Sequence, residues 1–103
     1  MNNFRTYNLA VEFYRSTKSL PMPYHLKEQL NRASSSVVLN LAEGSARYTK
    51  ADQRKFFNIA FSSLRESQAI LELIDNCPTQ LIELSDRLAA HTYKLIQFVN
   101  KAA

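Results

Sequence analysis

The sequence predicts an all-α protein, an antiparallel up-down-up-down bundle of four helices, and three observations carry that prediction. Apolar residues recur at steps of three and four along four long stretches, which is the period of one helix face. The chain-breaking residues are few, one glycine and three prolines in 103 residues, and they fall between those stretches, too few for the many turns of a sandwich or barrel. The composition, 46% hydrophobic and 21% charged, is that of a globular chain that buries a core. A chain of this length forms one domain, residues 1–103.

The first helix is expected from about Phe4 to Leu20, with Phe4, Tyr7, Val11 and Tyr14 as its apolar stripe. Pro21-Met22-Pro23 stops it, because proline lacks the amide proton and clashes with the preceding turn. The second helix is expected from about Tyr24 to Ala46, with Leu26, Leu30, Ala33, Val37 and Leu41 inward. Gly44 near its end marks either its termination or a close approach of another helix.

Thr49-Lys50-Ala51-Asp52 reads as the start of the third helix, with a threonine oxygen free to accept a backbone amide and an acid in the first turn. One row follows through Phe56, Ile59, Ser63, Ile70 and Ile74, a second through Phe57, Ala60, Leu64 and Leu71, and Cys77-Pro78 ends the helix. The fourth helix starts near Thr79 and carries a heptad-like seam of Leu81, Leu84, Leu88, His91, Leu95 and Phe98, widened by Ile82, Ala89, Ile96 and Val99. The short links make consecutive helices antiparallel neighbours. Helices three and four are apolar over more than one stripe, so either the monomer core is generously filled or a second surface is buried by self-association.

Polar residues predict a register for helices two and three. Arg32, Ser36, Asn40 and Glu43 share one face of the second helix, and Lys55, Asn58, Ser62 and Glu66 one face of the third. Folding the two about the turn near Tyr48-Thr49 pairs Arg32 with Glu66, Ser36 with Ser62, Asn40 with Asn58 and Glu43 with Lys55. Such a ladder sets register, since a slip leaves polar groups unpaired. The alternative is two solvated faces that match by chance.

The net charge of +4 is unevenly placed in this topology. One pole collects Arg5, Arg47, Lys50, Arg54, Lys55, Lys94 and Lys101 against only Glu43 and Asp52. Phosphate binding requires clustered Lys and Arg more than a motif. Tyr7 and Tyr48 at the same pole are placed either to stack on bases or to pack. The alternative is an ordinary solvated surface.

Reactive groups are sparse. The single Cys77 excludes an internal disulfide and fits a reducing, cytoplasmic setting. No apolar run reaches the roughly 18–20 residues that span a bilayer, and no basic-then-apolar leader opens the chain. His91 reads as a partly buried structural histidine and His25 as a surface residue. There is no Glu-x-x-His pair, cysteine cluster, phosphate-cradling glycine loop or nucleophile elbow, so neither metal nor cofactor nor enzymatic chemistry is expected.

The stretch from Pro21 to Glu66 carries Gln29-x-x-Arg32-Ala33-x-x-Ser36, then Asn40-Leu41-Ala42-Glu43-Gly44-x-x-Arg47, then Phe56-x-x-Ile59-Ala60-x-x-Ser63-x-x-Glu66. In these motifs it resembles the four-helix-bundle proteins of the ribosomal intervening-sequence (S23) family, which include relatives of the accessory variability determinant of diversity-generating retroelements. The chain departs from the family pattern at His25-Leu26, where glycine-leucine is common, at Asn31-Arg32, where arginines are paired, and at Ser62, which replaces a glycine. The resemblance implies an up-down bundle; several members form homopentamers, the retroelement accessory proteins bind nucleic acid and a reverse transcriptase, and the members encoded within ribosomal RNA intervening sequences have no settled biochemical role. The leading expectation is therefore a non-enzymatic homo-oligomer that binds RNA or DNA through Arg47, Lys50, Arg54 and Lys55, with Arg5 and Lys101 in support. The alternative is a protein–protein interaction scaffold without nucleic-acid binding.

Overall fold

In the computed structural model, which describes residues 2–102 and the side chains of residues 5–101, four helices follow one another: α1 (Asn2–Ser16), α2 (Tyr24–Ser45), α3 (Lys50–Leu73) and α4 (Thr79–Ala102). They form a rod with extents of 42 × 22 × 17 Å. Contacts that rise along one helix fall along its neighbour. Gly44 and Ser36 of α2 meet Phe57 and Ser63 of α3, and Arg54, Phe61 and Gln68 of α3 meet Asn100, Tyr93 and Ser85 of α4. Both pairs are thus antiparallel, and α1 packs between α2 and α4.

The breaks lie where the sequence places them, with the helix ends drawn back. α1 ends at Ser16 rather than Leu20. Pro21 disfavours helical backbone at Leu20, and in a continued helix its ring would clash with the carbonyl four residues earlier. The chain tightens there into three-residue turns, Lys18 N–H to Arg15 O (3.2 Å) and Leu20 N–H to Thr17 O (3.3 Å). The Lys27 ammonium of α2 then donates to the carbonyls of Lys18 (2.8 Å) and Leu20 (2.9 Å), which have no helical partner. α3 likewise stops at Leu73, before Cys77-Pro78, with Ile74 extended and Asn76 in the left-handed region at φ 58°. Asparagine tolerates that conformation better than most side chains. The start of α3 is as expected, with Thr49 Oγ1 accepting from Asp52 N–H at 3.1 Å.

Gly44 serves a close approach. Its φ is not positive and the C-cap is Ala46, in the right-handed helical region. A Cβ at Gly44 would lie 2.6 Å from Cε1 of Phe57, whose ring is fully buried.

The inward row on α2 is Leu30, Ala33, Val37 and Leu41, as expected, with Leu26 partly buried. On α1 the inward row is instead Thr6, Ala10 and Phe13, continued by Thr17 in the turn that follows. Tyr7, Val11 and Tyr14 are half-buried beside it, and Phe4 lies outside the described side chains. On α3 the row of Phe57, Ala60, Leu64 and Leu71 is the core face, while Ile59 of the other row is 40% exposed. On α4 the leucines of the seam are buried, His91 is half-buried and Phe98 is 60% exposed. Small hydroxyl residues complete the core, each bonded back one turn: Ser34 to Leu30 O (2.7 Å), Ser67 to Ser63 O (2.9 Å), Thr92 to Leu88 O (2.8 Å). A satisfied hydroxyl of this size lets helices approach without an unpaired polar atom.

Candidate nucleic-acid interface

The turn between α2 and α3 brings four cations together within nine residues, and α4 ends beside them. Arg54 Nη1 donates to Asn100 Oδ1 at 3.3 Å, joining the start of α3 to the end of α4. The Lys50 ammonium stands 5.6 Å from the ring centroid of Phe98. Arg47 pairs with Glu43 one turn earlier on α2 and lies with its guanidinium 4.7 Å from the centre of the Phe56 ring. Lys55 approaches the same ring at 5.6 Å. Cations over aromatic faces are held in place without being neutralised.

Lys101 follows Asn100 at this end, so Arg47, Lys50, Arg54, Lys55 and Lys101 share one tip with the carboxylates of Glu43 and Asp52. Glu43 is already committed to Arg47. Three of the cations occupy the first two turns of α3, where the helix dipole favours negative charge. Lys50, Arg54 and Lys55 thus work against local helix stability, and an anion docked there would reverse that.

Arg5 does not join the tip. α1 is 15 residues long and α4 is 24, about 22 and 36 Å respectively. Glu12 and Ser16 face Leu84 and Gln80, so the shortfall of α1 falls at the cationic end. Arg5 accordingly stands near His91, about ten residues, or roughly 15 Å, back along α4 from Lys101. There Arg5, Lys94 and Arg87, after partial burial, hold the His91 imidazole below its ordinary pKa. The seven-cation pole of the sequence therefore divides into a tip and a lateral group. Tyr7 also belongs to the side of the bundle, packed against the core. Tyr48 is fully exposed, at 101%, in the tip turn.

The polar ladder read from the sequence does not form as paired there; one polar contact crosses between α2 and α3, in a shifted register. Ser36 Oγ hydrogen-bonds Ser63 Oγ at 2.8 Å, one position on from Ser62. Asn40 turns back on its own helix, its Nδ2 donating to Ser36 O (2.9 Å) and Ser36 Oγ (3.0 Å). Among the described residues, Arg32 and Glu66, Asn40 and Asn58, and Glu43 and Lys55 share no hydrogen bond or ion pair. Asn58, Ser62 and Glu66 are exposed. A shift of one residue turns a helix by about 100°, enough to send Ser62 to solvent and Ser63 to the interface.

The sequence reading missed Phe56 and Phe98 as rings beneath cations, and Asn100 as the partner of Arg54. Phe98 had one legible signal, since it lies at the end of its seam, where fewer neighbours remain to cover it. Elsewhere, a groove between α3 and α4 is lined by Phe61, Arg65, Asp86, Ala89, Ala90 and Tyr93. The Phe61 and Tyr93 rings meet across it at 6.2 Å. Cys77 is half-buried and its thiol is pushed above its ordinary pKa by burial, which disfavours the thiolate. Among the described residues no group of three or more His, Cys, Asp or Glu is placed to hold a metal ion, and no helix is long and apolar enough to cross a membrane.

No curated protein and no solved structure is significantly similar to the chain. A family model described as 23S rRNA-intervening sequence protein matches residues 4–101. The match takes in all four helices and the tip, well beyond the Pro21–Glu66 stretch that carries the motifs, and the chain belongs to the 23S rRNA-intervening sequence protein family.

Proposed function

We propose that the chain is a non-enzymatic, self-associating helical bundle that binds RNA through its cationic tip, as an accessory to an RNA or reverse-transcriptase complex. The observation that carries this reading is the gathering of Lys50, Arg54 and Lys55 in the first two turns of α3, joined to the end of α4 through Arg54 and Asn100. Structural economy favours carboxylates at that position. Lysines and arginines there are accounted for by a phosphate ligand. Family membership favours RNA over other polyanions, since the family takes its description from sequences within ribosomal RNA.

Self-association is supported by the apolar surface left on α3 and α4. Leu73 (69% exposed), Tyr93 (52%) and Ile82 (43%) lie outside the core, and the groove of Phe61 and Tyr93 runs between the two helices. A ring of five copies, the arrangement implied by the family resemblance, repeats the tip five times and strengthens phosphate binding by multivalency.

The test is a titration of labelled RNA against the wild type and against Arg47→Gln/Lys50→Gln/Arg54→Gln at several salt concentrations. Wild-type affinity should fall steeply with salt, and the triple variant should bind weakly with a shallower salt slope. Equal binding by the two proteins rejects the tip. Light scattering should give about five times the 11.8 kDa chain mass. RNA-independent capture of a protein partner, surviving nuclease and high salt, would favour the scaffold reading instead.

A further inference from the structure

Resting on the reading of the tip as an RNA site, we infer that it takes unpaired nucleotides, with Tyr48 and Phe98 as stacking surfaces for bases and Lys50 and Arg54 as phosphate contacts. Tyr48 is 101% exposed and, among the described residues, neither hydrogen-bonds nor stacks through its side chain. Its backbone is nevertheless held on both sides. Ala46 N–H bonds Glu43 O and Arg47 N–H bonds Gly44 O, each at 3.2 Å, Thr49 caps α3, and Gln53 Nε2 returns to Arg47 O at 3.3 Å. The ring is therefore presented from a fixed turn, which lowers the ordering cost of a contact. Phe98, 60% exposed beneath the Lys50 ammonium, is a second ring on the same end.

Aromatic faces interleaved with Lys and Arg are the chemistry of single-strand recognition, in which bases stack and phosphates pair in alternation. The geometry disfavours a duplex. The tip is the end of a rod 22 × 17 Å across. In A-form RNA the bases are stacked inside, and the deep, narrow major groove keeps side chains from their edges. The opposite end of the bundle provides the contrast. Tyr24 is 74% exposed there, but its hydroxyl donates to Glu28 at 2.9 Å, so a carboxylate stands where a phosphate would have to approach.

The experiment is fluorescence anisotropy of the full chain with a labelled 15-nucleotide oligouridine, its DNA counterpart, and a 15-base-pair RNA duplex. Tyr48→Ala should weaken oligouridine binding by about 5- to 150-fold, the range of one lost base stack. Its salt slope should stay at the wild-type value, because no phosphate contact is removed. Tyr48→Phe and Tyr24→Ala should bind as wild type does, and Phe98→Ala should weaken binding in the same direction as Tyr48→Ala. The DNA strand should show the same dependence on Tyr48. If the triple charge variant loses binding while Tyr48→Ala keeps it, the stacking inference fails and the RNA reading stands. Duplex binding as tight as single-strand binding also overturns the inference. Absence of salt-dependent binding to any of the three probes overturns both.

Discussion

Gly44 and Phe57 are locked together: the ring of Phe57 occupies the space a side chain at position 44 would fill, 2.6 Å from where its Cβ would stand. The Phe56 Cβ lies 3.2 Å from the same point, so the obstruction is not the loose end of a long side chain. Gly44→Ala should therefore destabilise the fold by about 1–3 kcal/mol through overpacking, although alanine is the better helix former by about 1 kcal/mol. Denaturant titration decides the sign. A stabilised variant would mean that α2 and α3 separate easily at this end.

The Ser36–Ser63 hydrogen bond should show as coupling in a double-mutant cycle. Ser36→Ala and Ser63→Ala are each expected to cost about 0.5–1.5 kcal/mol, with the double variant losing less than their sum. Ser62→Ala should fall within about 0.5 kcal/mol of wild type, because Ser62 faces solvent. Strong coupling of position 36 to 62, and none to 63, would restore the register read from the sequence.

Lys27 ties α2 to the end of α1 through two carbonyls. Lys27→Met keeps most of the aliphatic stem and removes the ammonium. It should lower stability by about 1 kcal/mol and speed amide hydrogen exchange around residues 17–20. Unchanged exchange there would assign that turn to Pro21 and Pro23 alone.

His91 should make the fold sensitive to mild acid. Its folded pKa lies below the ordinary value of 6.5 because of partial burial and the charges of Arg5, Lys94 and Arg87. The unfolded chain therefore takes up the proton first. The contribution of His91 is full above pH 6.5 and is lost as the pH falls from there through the folded pKa. His91→Gln should flatten the stability profile as the pH falls below about 6.5, and added salt should weaken the effect. A wild-type profile that is already flat there would show that His91 titrates as it does in the unfolded chain.

Local chemistry made the number of helices legible. Prolines at 21, 23 and 78 and the threonine cap at 49 act within a few residues of themselves, and the helices break beside each of them. The cations of the tip were legible for the same reason, since Arg47, Lys50, Arg54 and Lys55 straddle one turn. The inward row of α1 was not. Tyr7, Val11 and Tyr14 follow helical spacing as well as Thr6, Ala10, Phe13 and Thr17 do, and the first row is the more apolar to read. The second is buried because small residues let the helices close around Phe13, while the tyrosines keep their hydroxyls near water.

The sequence by itself determined four helices, their order, their breaks and the charge of the turn between α2 and α3, because periodicity, capping and proline sterics reach only a few residues along the chain. Only the tertiary structure decided which row faces inward, which serine meets Ser36 and whether Arg5 reaches the tip. Those outcomes depend on steric fit between residues far apart in sequence, such as Phe57 in the gap at Gly44. They depend also on the relative lengths of α1 and α4, where a shift of one residue turns a side chain through about 100°.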